Sequence, residues 1–190
     1  DFDGIRFLVD GALKAGQDKD IGHEYLKDME ARYKEEDRQV IPTPWAVINE
    51  RLMGGLGGGD FGLIFGNPGG GKSWSLVALG AHALKLGLNV VHYTLELSEG
   101  YVGKRYDAHF VKQPVNTIHL YREKINKKLE DLKGSLTIKE YAPGVASISS
   151  IEGHIQKITD LGYPPDMIII DYVDLLKSTS NSKDEKEKLD

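Results

Sequence analysis

The chain has 190 residues and a formal net charge of −5, with 40% hydrophobic and 28% charged residues. That profile fits one globular domain with a real core, and excludes both a disordered chain and a surface coated in cationic charge for nucleic acid. The absence of cysteine excludes disulfides, thiolate metal sites and a cysteine nucleophile. No run approaches the roughly 18 uncharged apolar residues of a membrane span. There is no basic and apolar leader, so a cytoplasmic protein with no membrane partner is expected. A start on Asp1 suggests a piece of a longer chain.

Residues 1–41 read as a polar helical segment. Ile5, Leu8, Val9, Ala12 and Leu13 recur at helical spacing, and after Gly16 the charged run His23–Arg38 carries only Tyr25, Leu26, Met29 and Tyr33 as an apolar stripe. Such a stripe suits a helix docked on a surface or on a neighbouring subunit. Pro42 and Pro44 break the chain, and a domain is expected over residues 42–178. Phe61–Phe65 reads as a buried strand, and Ser73–Leu86 as a helix stopped by Gly87. Val90–Leu95 is a second strand, followed by a helix over Ser98–Phe110 capped by Ser98. Tyr121–Leu132 is a helix ended by Gly134, and Leu136–Tyr141 alternates like a strand. Ser149 and Glu152 suggest a capping box for a helix bearing Ile151, Ile155, Ile158 and Leu161, stopped by Gly162, Pro164 and Pro165. Met167–Ile170 is an apolar strand ending on Asp171. The tail, residues 179–190, is charged and expected to be disordered. Strands written as apolar runs and alternating with helices predict an α/β domain with a mostly parallel central sheet, preceded by a helical linker.

Glycine is concentrated in one place. Of 22 glycines, ten lie between Gly54 and Gly71, which signals backbone in unusual conformations or pressed against a ligand. Within that block, Gly66, Asn67, Pro68, Gly69, Gly70, Gly71, Lys72 and Ser73 fit G-x-x-x-x-G-K-[ST], between a predicted strand and a predicted helix. The glycines let successive amides converge on phosphate oxygens, and the helix N-terminus adds partial positive charge. Lys72 reaches the β- and γ-phosphates and Ser73 offers a hydroxyl to Mg²⁺. A plain glycine turn would not require Lys-Ser after its last glycine, so a nucleotide's phosphates and Mg²⁺ are the expected ligands. Asp171, closing a buried parallel strand, faces the crevice where such sheets bind ligands and suits a Mg²⁺-associated acid. A helix-capping aspartate is the alternative. Glu96, past the end of the other strand, could take the proton of an attacking water or be an ordinary surface glutamate. The six histidines show no metal-pair spacing and read as core or surface residues. Lys104-Arg105 reads as a solvated helix face, with contact to a neighbour's nucleotide or to DNA as the alternative.

Gly54-Gly55-Leu56 ahead of a strand, then the phosphate loop, Leu95-Glu96-Leu97-Ser98 and Ile170-Asp171-Tyr172 together resemble the RecA-like motor domain of replicative hexameric DNA helicases, the DnaB family. Lys104-Arg105-Tyr106-Asp107-Ala108 and the run from Ile170 to Ser178 resemble the helicases of T-even-like bacteriophages in particular. The likeness covers roughly residues 42–178. It implies a RecA-like P-loop NTPase fold and a motor that couples ATP hydrolysis to 5′–3′ translocation on single-stranded DNA. It also implies a homo-hexamer with nucleotide at its interfaces, and allows primase as a partner. By the same resemblance Glu96 matches the general base, Lys72 and Ser73 the phosphate and metal ligands, and Asp171 the metal-associated acid. Bacterial members carry glutamine three residues past that aspartate, where this chain has Asp174. The family's arginine finger, DNA-contacting loops and last strands are expected beyond these residues, so the fragment alone is expected to turn over slowly. The rivals are another RecA-like ATPase, of the recombinase or circadian type, and a non-catalytic nucleotide-gated interaction module. A small-molecule kinase should show an arginine-rich lid, whereas Lys112–Lys128 holds only Arg122.

Overall fold

A computed structural model describes residues 24–27, 29–30 and 39–177. The chain divides into two units at Arg38/Gln39. In the first, the described residues include a turn closed by Lys27 N–H donating to the Glu24 carbonyl at 2.9 Å. The expected helix over Ile5–Leu13 and the tail 179–190 lie outside the described residues.

The second unit is a mixed α/β structure. It opens with a two-residue ladder, β1 (Val40–Ile41) antiparallel to β2 (Leu56–Gly57), around the short helix α1 (Ala46–Arg51). Buried Thr43 braces this entry: its N–H and hydroxyl both reach Asn49 Oδ1 at 2.7 Å, while Asn49 Nδ2 donates to the Thr43 carbonyl at 2.8 Å. Gly55 has φ 153°, and a Cβ there would strike the Ile41 main chain, so the close pass of β2 over β1 requires glycine.

The main body alternates helix and strand: α2 (Lys72–Lys85), β3 (Val90–Thr94), α3 (Glu99–Val111), α4 (Arg122–Glu130), β4 (Leu136–Glu140), α5 (Ile148–Asp160) and β5 (Met167–Asp171). The three long strands form one parallel sheet in the order β4-β3-β5. Opposite residues include Thr94 with Glu140 on one side and Thr94 with Asp171 on the other. All five β3 residues are buried, as a central strand covered on both faces requires. On one face α2 and α3 pack over Val90 and Ile169, α3 contributing Val102 and Tyr106. On the other, α5 brings Ile151 and Ile158 against Val91 and Tyr93.

Most predicted elements are found within a residue or two, including the Ser98 cap, which accepts from Tyr101 N–H at 3.3 Å. Two readings need correction. Phe61–Phe65 forms no ladder, and Phe61, Leu63 and Phe65 are 80%, 67% and 86% exposed. An apolar run becomes a strand only by pairing. No described strand pairs with this run, whose Gly62 weakens it as a strand. The capping box of α5 is built from Ser147 and Ser150, not Ser149 and Glu152. The helix starts earlier because Ser147 holds the extended backbone that an N-cap needs, and its hydroxyl accepts from Ser150 N–H. The 3₁₀ turn over Val115–Tyr121 is unforeseen, although Val115, Ile118 and Tyr121 recur every three residues and pack in one cluster.

Gly80, in the middle of α2, shows how tightly this layer fits. A Cβ there would overlap the Tyr106 hydroxyl and stand 3.1 Å from Ile169 Cδ1. Tyr106 is itself buried and its hydroxyl is held on His92 Nδ1. Gly80→Ala should therefore destabilise the domain by about 1–3 kcal/mol despite its better helix propensity, read as a lower urea midpoint. An unchanged or raised midpoint would contradict this packing.

Candidate nucleotide site

The loop of residues 66–71 leads straight into α2. Gly69 and Gly71 hold φ 75° and 87°, and Gly71 is the N-cap. These left-handed positions strain any residue with a Cβ. Gly70 N–H donates to the Asn67 carbonyl at 3.0 Å, closing the bend. The first intrahelical bond is Ser75 N–H to the Gly71 carbonyl at 2.9 Å. The amides of Lys72, Ser73 and Trp74 therefore precede the helical ladder and remain the donors that a helix N-terminus presents. Lys72 Nζ folds back across the loop, donating to the carbonyls of Gly66 at 2.9 Å and Asn67 at 3.2 Å.

Topology brings Glu96 and Asp171 to one edge. The tight turn after α2, with Gly87 at φ 89°, feeds β3 directly. Helix α2 thus runs back along the sheet on which it packs. Fourteen helical residues span roughly 21 Å and five strand residues roughly 16 Å. The α2 N-terminus accordingly lies toward the carboxyl ends of β3 and β5.

At that edge the chain after β3 is anchored on both sides of Glu96. Leu95 N–H donates to the Asp171 carbonyl at 2.9 Å. The buried Thr94 hydroxyl donates to the Leu97 carbonyl at 2.8 Å and accepts from Leu97 N–H at 3.1 Å. Leu95 is buried while Glu96 is exposed, so the two anchors hold the glutamate outward. Asp171 is 5% exposed, and its carboxylate makes no hydrogen bond or ion pair with any described residue. Within the described residues, no hydrogen bond or ion pair joins Lys72, Glu96 and Asp171 to one another; Lys72 is bound to its own loop.

Three further features were not legible as site elements. Thr94 positions Glu96 from inside the strand, and only its place at a strand end hinted at this. Arg105 is not a freely solvated cation: its guanidinium lies 5.5 Å from the Trp74 ring centroid and 5.3 Å from that of Tyr101. This stack joins the first turn of α2 to α3. His92, at the centre of β3, is 1% exposed and pairs Nδ1 with the Tyr106 hydroxyl at 2.9 Å. Its pKa is lowered to about 4, chiefly because burial disfavours the imidazolium; the Asp171 charge opposes this and the Arg105 charge adds to it.

No family model matches the chain. It is similar to a DnaB-like replicative helicase of Enterobacteria phage T4, with 28% identity over 190 residues, or 94% of this chain. The resemblance to the DnaB family holds. The chain spans about 40% of that relative's length. No described helix is long and apolar enough to cross a membrane.

The buried histidine makes stability depend on pH. Its native pKa lies below its unfolded value, so the unfolded chain takes up the proton first as pH falls. The contribution is complete above about pH 6.5 and is lost progressively toward pH 4, by up to about 3 kcal/mol. Urea unfolding at pH 7 and pH 4.5 should show this loss, and His92→Gln should flatten it. A wild-type curve as flat as the variant's would refute the assignment.

Proposed function

We propose that the chain is the ATP-hydrolysing motor domain, RecA-like in fold, of a replicative hexameric DNA helicase moving 5′–3′ on single-stranded DNA. One observation carries this reading: a glycine bend with left-handed residues opens onto the N-terminus of α2, at the sheet edge that bears Glu96 and Asp171. The similarity to the phage helicase supports it.

The chemistry follows from the residues present. Amides at the start of α2 bind the phosphate oxygens. The Lys72 ammonium, held on two neutral carbonyls, exchanges them for anionic phosphate oxygens, which are stronger acceptors. A buried carboxylate without a cation partner among the described residues suits a divalent ion. Asp171 and the Ser73 hydroxyl would hold Mg²⁺, which when bound neutralises charge on the β- and γ-phosphates. Glu96, exposed between two anchored neighbours, accepts the proton of the water that attacks the γ-phosphorus. In this reading six copies form a ring with nucleotide at the interfaces. A neighbour's arginine completes each site, and primase is a further partner.

Equilibrium binding of a fluorescent ATP analogue and steady-state turnover test this reading. Lys72→Ala should lower nucleotide affinity at least about 10-fold, the worth of one charge-assisted contact. Glu96→Gln should leave affinity within about two-fold while turnover falls by about 10²–10⁴. Single-stranded DNA should stimulate the wild-type assembly. Full affinity in Lys72→Ala, or turnover indifferent to both Glu96→Gln and DNA, would overturn it.

A further inference from the structure

Among the described residues, His92 Nε2 is a buried side-chain polar atom with no hydrogen-bond partner. A polar atom sealed from water and left unpaired is costly, and native structures rarely carry one without a purpose. Its surroundings are specific. His92 stands opposite Ile169 in the parallel ladder, and Asp171 lies two residues further along β5. Alternation along the strands puts both side chains on the sheet face covered by α2 and α3, roughly 8 Å apart at the backbone. On that face, then, an unpaired ring nitrogen neighbours Asp171, a residue 5% exposed, whose carboxylate has no hydrogen-bond or ion-pair partner among the described residues.

The other ring nitrogen settles which partner Nε2 seeks. The Tyr106 hydroxyl is sealed against Gly80, and its one hydrogen bond is to His92 Nδ1. If the phenol donates, its proton is satisfied and the imidazole proton sits on Nε2. The reverse arrangement would strand both the phenol proton and the Nε2 lone pair. Burial pushes the phenol's pKa well up, so it remains a donor. The favoured tautomer therefore presents Nε2–H. One bridging water spans about 5.5 Å, two hydrogen-bond lengths.

We infer that His92 is a positioning residue for Asp171: Tyr106 sets its tautomer, and Nε2–H, through one bridging water, donates to the Asp171 carboxylate and holds it toward the metal side of the site. The inference rests on the reading of Asp171 as the metal-associated acid. The His92–Tyr106 pair acts only through that carboxylate and is not a catalytic residue.

The test uses the 190-residue chain and a fluorescent ADP analogue titrated with Mg²⁺ and, separately, in EDTA. Glutamine places a donor where Nε2 lies; asparagine reaches only as far as Nδ1. His92→Asn should raise the half-saturating Mg²⁺ concentration about 10-fold, the usual scale for groups that orient metal-binding carboxylates. Its affinity in EDTA should stay within about two-fold. His92→Gln should retain most of the Mg²⁺ response, and Tyr106→Phe, which frees the tautomer, should shift in the direction of His92→Asn. Nitrogen-15 NMR of the wild type should show the Nε2–H tautomer. An Nδ1–H tautomer, equal behaviour of the asparagine and glutamine variants, or a parallel loss of affinity in EDTA would each overturn the inference. Asp171→Asn separates the two levels. If it leaves the Mg²⁺ dependence unchanged, the reading of the acid itself fails. If it shifts that dependence while His92→Asn and His92→Gln behave alike, only the positioning role fails.

Discussion

The parallel ladder between Val90–Thr94 and Met167–Asp171 is the constraint on which the candidate site depends. It sets Asp171 level with Thr94, and the next hydrogen bond, Leu95 N–H to the Asp171 carbonyl, carries the alignment one residue beyond the strand. A slip of one residue would turn Asp171 to the other face of the sheet and remove the anchor before Glu96. Register is protected by burial: β3 is enclosed on both faces and paired on both edges, so a shifted pairing would expose an apolar strand or bury a charge among aliphatic groups.

The phosphate loop borrows its position from the same sheet. Its glycines supply the bend, but the bend is placed by α2, which docks through Val77, Ala81 and Leu84 on β3 and β5. Gly80 belongs to this economy as well. By omitting a side chain it lets Tyr106 lie against α2 and reach His92, which puts a polar pair inside a largely apolar layer. The Trp74–Arg105–Tyr101 stack ties α2 and α3 together at the surface, so helix, loop and sheet edge share one rigid frame.

Much of this was legible from residue order. The glycine loop, the apolar runs of β3 and β5 and the stops at Gly87 and Gly134 are local signals, decided within a few residues by backbone freedom, periodicity and capping. The acid at the end of β5 was legible for the same reason, because a charge closing an apolar strand marks where the sheet meets solvent or ligand. The failures were also instructive. Phe61–Phe65 has the composition of a buried strand and remains exposed, since pairing is a property of two segments. The α5 cap moved from Ser149 to Ser147 because several serines in a row offer equivalent hydroxyls, and only the backbone entering the helix chooses between them.

By itself, the order of amino acids determined that this chain carries a phosphate-binding bend and alternating helices and strands, because those are set by each residue's own torsional freedom, size and charge. Tertiary structure alone decided that Thr94 and Leu95 fix the turn at Glu96, that Tyr106 passes over Gly80 to His92, and that the imidazole shares a face with Asp171. Those relations join segments up to about 80 residues apart. They exist only once the apolar faces have packed and the ladder has chosen its register, and neither event is written in any single stretch of the chain.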